Sequence, residues 1–150
     1  MWCLISRRYP KHPLPGVGAL IFRRGSILLI ERGGNPLKCY WSLPGGLLET
    51  GETLVEGVTR EVLEETGLRV KVVEFYGIFE RIMRDAKGRA EYHYLLHDYV
   101  CKVVSGTMKA GDDVSRVEWV PRARLKDYKM TEGTLDVINE AYDSALRKRT

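Results

Sequence analysis

The chain has 150 residues, 44% of them apolar and 29% charged, which suits one soluble domain with a real hydrophobic core. No apolar run reaches the roughly 20 residues of a membrane span. The basic, proline-rich stretch Met1–Pro15 has no apolar core of signal-peptide length, so the sequence predicts a cytoplasmic protein. The net charge of +4 favours anionic substrates; its excess sits at the two ends (Arg7, Arg8 and Lys11, then Arg147, Lys148 and Arg149), which reads as solvated tails rather than a nucleic-acid surface.

In chain order, Tyr9–Pro15 holds three prolines and reads as an extended lead-in, so that residues 1–15 form an arm on a domain spanning 1–150. Val17–Phe22 and Ile27–Glu31 are apolar runs joined by the hairpin signal Arg23-Arg24-Gly25-Ser26. Gly33–Tyr40 reads as a loop and Ser42–Gly46 as a short strand entering a glycine turn. A helix begins at Thr53, whose pairing with Glu56 makes a capping box. Val55, Val58 and Val62 form its apolar stripe, and Gly67 closes it. Gly57 inside that helix costs up to about 1 kcal/mol relative to alanine, and leaves room either for a metal-bound phosphate or for a close-packed strand.

Arg69–Met83 and Ala90–Val104 are rich in β-branched and aromatic residues and form a hairpin around Asp85-Ala86-Lys87-Gly88. Ser105–Asp113 is a polar loop. Val114–Val120 is a strand stopped by Pro121, and Thr131 or Gly133 to Arg147 has helical spacing, with Leu135, Ile138, Ala141, Tyr142 and Ala145 on one side. The order fits an α/β (α+β) chain with a mixed sheet between helices. Cys3, Cys39 and Cys101 are odd in number and widely spaced, which gives no zinc pairing and no disulfide framework; they read as buried or idle thiols.

Glu61, Glu64 and Glu65 are the most informative residues. At helical spacing their carboxylates fall within an arc of about 100°, and three such like charges repel one another. A solvated acidic face is one reading. The other is a hard divalent cation, which takes oxygen ligands and commonly joins carboxylates to substrate phosphates. A cation so held would neutralise and orient a diphosphate and lower the pKa of an attacking water.

The neighbours decide between the two. Gly46, Glu52, Arg60, Glu61, Val62, Glu64, Glu65, Gly67 and Leu68 fill, in order, every fixed position of the Nudix hydrolase signature. Chance alone would produce such a run on the order of 10⁻⁹ times per start position. The resemblance implies a Nudix-type αβα sandwich with a mixed, partly antiparallel central sheet, and hydrolysis of a nucleoside diphosphate linked to another moiety. By position it implies that Glu61, Glu64 and Glu65 are metal carboxylates, that Gly45 or Gly46 lends a backbone carbonyl, and that Arg60 pairs with Glu52 to orient the cluster. The metal implied is Mg²⁺, with Mn²⁺ as its alternative.

The resemblance implies that the general base is a motif glutamate or an acid on a later loop. Asp112 and Asp113 are the loop candidates, although Gly111-Asp112-Asp113 reads equally as a turn. Glu91 is a third candidate, on a strand where charged residues usually face solvent. Arg32 follows a strand and suits either a bidentate phosphate contact or a surface salt bridge. Phe79 is the candidate wall for a base, with Tyr92, Tyr94 and Tyr99 also available. Trp41 reads as structural, and His12, His93 and His97 show no metal spacing.

Beyond the signature, Tyr9-Pro10-Lys11-His12-Pro13, Gly16-Val17-Gly18-Ala19, Gly111-Asp112-Asp113 and Trp119-Val120-Pro121 resemble the ADP-ribose pyrophosphatase-like branch. The proline that marks many ADP-ribose enzymes downstream of the motif is missing from Ile82-Met83-Arg84-Asp85, as is the tyrosine of dinucleoside polyphosphate enzymes. The expectation is hydrolysis of ADP-ribose or a related nucleotide sugar to AMP, or another nucleoside monophosphate, plus a sugar phosphate. The alternatives are a nucleoside triphosphate pyrophosphohydrolase releasing pyrophosphate and a non-catalytic nucleotide or RNA sensor. The expected partner is a small nucleoside diphosphate derivative, with neither nucleic acid nor membrane; the resemblance also admits a homodimer.

Overall fold

The computed structural model describes residues 6–111 and 113–149, with side chains described through residue 145. Cys3 and Asp112 lie outside the described residues, as do the side chains of Arg147, Lys148 and Arg149. Strands β1 (Leu14–Arg23) and β2 (Ser26–Arg32) are followed by two short strands, β3 (Trp41–Ser42) and β4 (Gly45–Leu47). Helix α1 (Leu54–Thr66) precedes the long hairpin of β5 (Leu68–Arg84) and β6 (Ala90–Gly106). Strand β7 (Val114–Pro121), a 3-10 turn over Arg122–Asp127 and helix α2 (Thr134–Arg149) complete the fold. The strands form one sheet in the order β3-β2-β1-β6-β5, with β4 added on β1 and β7 on β2. The β1–β6 pair is parallel and the others are antiparallel, so the sheet is mixed, as expected.

Strand β1 is buried on both faces, and its alternation divides the core. Val17, Ala19 and Ile21 pack with Val58 and Val62 of α1, together with Leu28, Tyr99 and Cys101. Leu20 packs on the other side with Ile27, Leu29, Val120 and with Val137, Ile138 and Ala141 of α2. The sheet is thus the middle layer between the two helices. The β1–β2 connection is the two-residue turn Arg24-Gly25, with φ of 48° and 78°, the left-handed pair that matches strand twist.

Four expectations are corrected. Val55 is 46% exposed; the inward row of α1 is the partly buried Leu54 and the buried Val58, Val62 and Thr66, one residue every turn at i, i+4 spacing. On α2, Val137 takes the core place expected of Ala145, which is exposed, because the buried row runs Thr134, Val137, Ile138, Ala141. The stretch Ser42–Gly46 is two strands rather than one, because Leu43-Pro44 interrupts the ladder. The N-terminal arm is bent rather than extended: Tyr9 has φ of 51°, and its N–H and hydroxyl are both tied to the β5–β6 hairpin.

Gly57 sits against neither a strand nor open space. A Cβ there would fall 2.8 Å from Leu48 Cδ1 and 3.1 Å from Glu52 Oε1, so the glycine leaves room for side chains of the loop before the helix. No described helix is long and apolar enough to cross a membrane.

Candidate active site

Helix α1 starts where the Thr53 hydroxyl accepts the Glu56 N–H at 3.1 Å, and ends where Gly67, with φ of 74°, donates its N–H to Leu63 O at 2.9 Å. These two stops set the phase of the helix and send Arg60, Glu61, Glu64 and Glu65 toward the Leu47–Glu52 loop and β4. Arg60 is the hub. Its Nε donates to Glu52 Oε2 at 2.9 Å and its Nη2 to Glu52 Oε1 at 2.6 Å, a bidentate pair. Nη2 also donates to Leu47 O at 3.0 Å, and Nη1 to Glu61 Oε1 at 2.8 Å and Glu64 Oε2 at 3.1 Å. One guanidinium therefore joins the loop to three carboxylates, and the pairing with Glu52 is the one expected.

The acids differ in environment. Arg60 holds the Glu52 carboxyl down to about 2. Burial pushes Glu61 up, against the pull of Arg60. Glu64 is more open, with its side chain 40% exposed against 14% for Glu61. Glu65 Oε1 accepts the Gly45 N–H at 2.7 Å. The contact between glycine turn and carboxylates therefore runs through the amide of Gly45. Gly46 is needed for approach: a Cβ on it would sit 2.5 Å from the Glu61 carboxyl carbon.

Among the described residues, no three His, Cys, Asp or Glu side chains are gathered closely enough to hold a metal ion as they stand. The donors nevertheless fit a hard divalent cation: carboxylates at i, i+3 and i+4 of one helix, with a bare glycine backbone facing Glu61. Arg60 already bonds Glu61 and Glu64, so a cation bound there shares or displaces that guanidinium.

From Gly45 and Gly46 a cleft of about 710 Å³ runs across β1, β6 and the end of β5 to the start of α2. That is within the range of about 300–1,000 Å³ typical of small-molecule sites. Arg32, Tyr40 and Tyr94 line it, and so does Asp98. Arg32 Nε donates to Pro36 O at 2.9 Å, and among the described residues no carboxylate pairs with it, so the surface salt bridge is not what forms.

Phe79 is not among the lining residues. It stacks on Tyr76 at 6.1 Å and joins the α2-side core, because bulges at Val72/Glu74 and Phe75/Gly77 change which side chains of β5 share a face. Tyr99 is buried against Phe75, and of the four aromatics expected to offer a wall it is Tyr94 that reaches the cleft. Trp41 is buried in the core, as expected of a structural residue. Glu91 is tied to Arg8 at 2.8 Å, away from the cleft. His97 bonds Gly16 O and His93 bonds Glu80.

Asp113 is exposed; its carbonyl accepts the Gly33 N–H at 2.6 Å, and Val114 N–H bonds Gly111 O at 3.2 Å, a turn. The loop itself lies over the end of α1, where Gly111 N–H bonds Glu65 O at 3.2 Å and Lys109 N–H bonds Thr66 O at 2.8 Å.

Sequence reasoning missed Asp98. It is 5% exposed at the cleft floor, and burial pushes its carboxyl up to about 6. Gly18, opposite it in the parallel β1–β6 register, leaves its space: any Cβ there would collide with Asp98 Oδ1. The available signal was an acid inside the apolar run Leu95–Val100. Cys101 is a buried thiol pushed up to about 12, and Cys39 is exposed.

Residues 12–140 match the family described as NUDIX domain. An ADP-ribose pyrophosphatase of Methanocaldococcus jannaschii is 41% identical over 108 residues, which are 72% of this chain and 62% of that protein. The chain thus spans less than two thirds of that relative. Among solved structures, a MutT NUDIX hydrolase from Burkholderia pseudomallei superposes with a TM-score of 0.76 at 27% identity, covering 86% of this chain and 98% of that one. A bifunctional NMN adenylyltransferase/ADP ribose pyrophosphatase from Francisella tularensis, complexed with AMP and a manganese ion, gives a TM-score of 0.67 at 25% identity over 89% of this chain and 42% of that one.

Proposed function

This chain belongs to the Nudix family, and on that premise we propose that it is a divalent-metal-dependent pyrophosphohydrolase acting on ADP-ribose or a closely related nucleotide sugar. The observation that carries the reading is the junction at Gly45-Gly46, where the Glu61 and Glu65 carboxylates meet the mouth of a cleft long enough for a moiety beyond a diphosphate. Glu61, Glu64 and Glu65 would hold Mg²⁺ or Mn²⁺, which would supply charge neutralisation and a water of lowered pKa. Arg60, anchored on Glu52 and Leu47, holds Glu61 and Glu64 in place. Arg32 offers its guanidinium to a phosphate, and Tyr94 and Tyr40 offer ring faces to a base or sugar. Asp98 on the cleft floor and the Thr131 and Thr134 hydroxyls present hydrogen-bonding groups suited to sugar hydroxyls. The base that accepts the water's proton is Glu65 or an acid of the 111–113 loop.

Water attacks one phosphorus and the bridging P–O bond breaks, giving AMP and ribose 5-phosphate from ADP-ribose. Likeness to a MutT hydrolase over 98% of its length favours a second reading, a triphosphate cleaved to monophosphate and pyrophosphate. Mass spectrometry of products from a pooled panel with Mg²⁺ separates them. The panel holds ADP-ribose, nucleotide sugars, dinucleoside polyphosphates and nucleoside triphosphates. AMP with ribose 5-phosphate supports the first reading and pyrophosphate the second. Tight nucleotide or RNA binding with no turnover on any panel member would replace both with a sensor.

A further inference from the structure

The N-terminal basic cluster is not simply a solvated tail. Arg8 Nε bonds Glu91 Oε1 at 2.8 Å, and Tyr9 N–H bonds Glu91 O at 2.7 Å. The Tyr9 hydroxyl donates to Asp85 Oδ2 at 2.7 Å, and Arg89 Nε bonds the same oxygen at 2.9 Å. The Tyr9 ring is flanked by two guanidiniums, Arg89 at 5.0 Å and Arg8 at 5.3 Å. Tyr9 has φ of 51°, a left-handed conformation that a bulky residue keeps only where its surroundings hold it. The arm is thus latched to the tip of the β5–β6 hairpin.

Immediately before the latch, Arg7 lines the cleft. Its charge bears on Glu61 and, together with Arg32, on Tyr94, so Arg7 lies between the carboxylates and the part of the cleft it shares with Arg32. Among the described residues, no carboxylate is within ion-pair distance of Arg7. An arginine brought to an anion-binding cleft and left without a protein counter-charge is placed to meet a ligand's negative charge.

We propose that Arg7 binds the diphosphate of the substrate and that the Arg8–Tyr9–Asp85 latch is the device that positions it. The inference rests on the reading of this cleft as a phosphoanhydride site. The clamp would be two-sided, with Arg7 and Arg32 on the phosphate oxygens opposite the carboxylate cluster. Because Arg7 is reached through the arm and not through the sheet, the latch contributes to binding without touching substrate.

The test compares wild type, Arg7→Ala, Arg7→Lys and Tyr9→Phe in full-length protein. ADP binding is followed by calorimetry with Mg²⁺ present, and kcat and KM are measured on whichever panel substrate turns over. Loss of a charge-assisted phosphate contact should weaken ADP binding about 10-fold or more, with the kinetic loss mainly in KM. Arg7→Lys should recover part of it. Tyr9→Phe should raise KM in the same direction and add little on top of Arg7→Ala, because both act through one contact. Binding and KM within twofold of wild type for Arg7→Ala overturn the assignment. A Tyr9→Phe variant with lower Tm and unchanged KM overturns the positioning role. Wild type that binds ADP but hydrolyses nothing defeats only the hydrolase reading. Failure to bind ADP at all defeats both.

Discussion

The α1 end of the site and the floor of its cleft carry acids held in opposite ways. Near α1, Glu52 shares Arg60 with Glu61 and Glu64, and its carboxyl lies at about 2. At the floor between β1 and β6, Asp98 is buried, and that burial moves its carboxyl from 3.8 to about 6 against the pull of Arg81 and His97. The residue types are nearly the same and the surroundings alone separate them: a bidentate cation favours the charged form, and desolvation disfavours it. The first is built to keep charge in a fixed place. The second keeps a polar group where a carboxylate is costly, at a position visible only once two strands are paired.

The largest expected effect is on the charge-keeping end. Glu61→Gln and Glu65→Gln should each lower turnover by roughly 10²–10³-fold at saturating Mg²⁺, because each removes half of a charge-stabilising contact without changing size. Chelation with EDTA should abolish activity, with recovery on adding Mg²⁺ or Mn²⁺. Steady-state kinetics on the same substrate with Asp112→Asn and Asp113→Asn then locates the base: a loss under tenfold for Glu65→Gln, with a large one for either aspartate, would move that role to the loop.

Asp98→Asn tests the cleft floor through stability. The folded carboxyl lies at about 6, above the value of 3.8 for an unperturbed aspartate, so the fold favours its protonated form. Stability from that preference is present below about pH 4 and is lost as pH rises through 6. The asparagine variant should therefore match wild type at pH 4 and exceed it at pH 8 by up to about 3 kcal/mol. Urea unfolding midpoints at the two pH values measure this. A variant that is less stable at pH 8 would mean that Asp98 is held by a partner that stabilises its charge.

The contrast in legibility follows the same line. The α1 end is local in sequence: cap, carboxylates, Arg60 and closing glycine all lie between residues 46 and 68, so helical spacing alone brings them together. The apolar run of β1 and the β5–β6 hairpin were legible for the same reason. Asp98, Arg7 and Tyr94 become cleft residues only through the parallel β1–β6 register and the arm's latch, contacts that span more than 70 residues. Phe79 misled because strand bulges break the two-residue period on which face assignments depend. Val55 misled because a valine one place from the buried row looks like a member of it.

Glu52→Gln sharpens the comparison with a smaller effect and the opposite pH sign. Its bidentate pair with Arg60 leaves the arginine underbonded when the charge is removed, which should cost about 2 kcal/mol at pH 7. The carboxyl is depressed from 4.5 to about 2, so wild type keeps its advantage above pH 4.5 and loses it as pH falls through 2. Thermal melts from pH 7 downward should converge for this pair, whereas the Asp98 pair diverges as pH rises. Activity should fall with it, because Arg60 also holds Glu61 and Glu64.

Gly57→Ala is the finest probe, because it presses on Glu52 without changing any charge. Alanine in a helix interior gains up to about 1 kcal/mol over glycine. The new methyl would lie 2.8 Å from Leu48 Cδ1, the tip of a half-buried flexible side chain that can turn aside cheaply. It would also lie 3.1 Å from Glu52 Oε1, which must yield by a few tenths of an ångström while it holds the Arg60 pair. The two effects on stability nearly cancel, so Tm should shift by a few degrees at most. Turnover should still fall several-fold, because positioning of reacting groups is sensitive to small displacements. If activity is unchanged while stability rises, Glu52 has room to move, and the charge-keeping end is looser than its hydrogen bonds suggest.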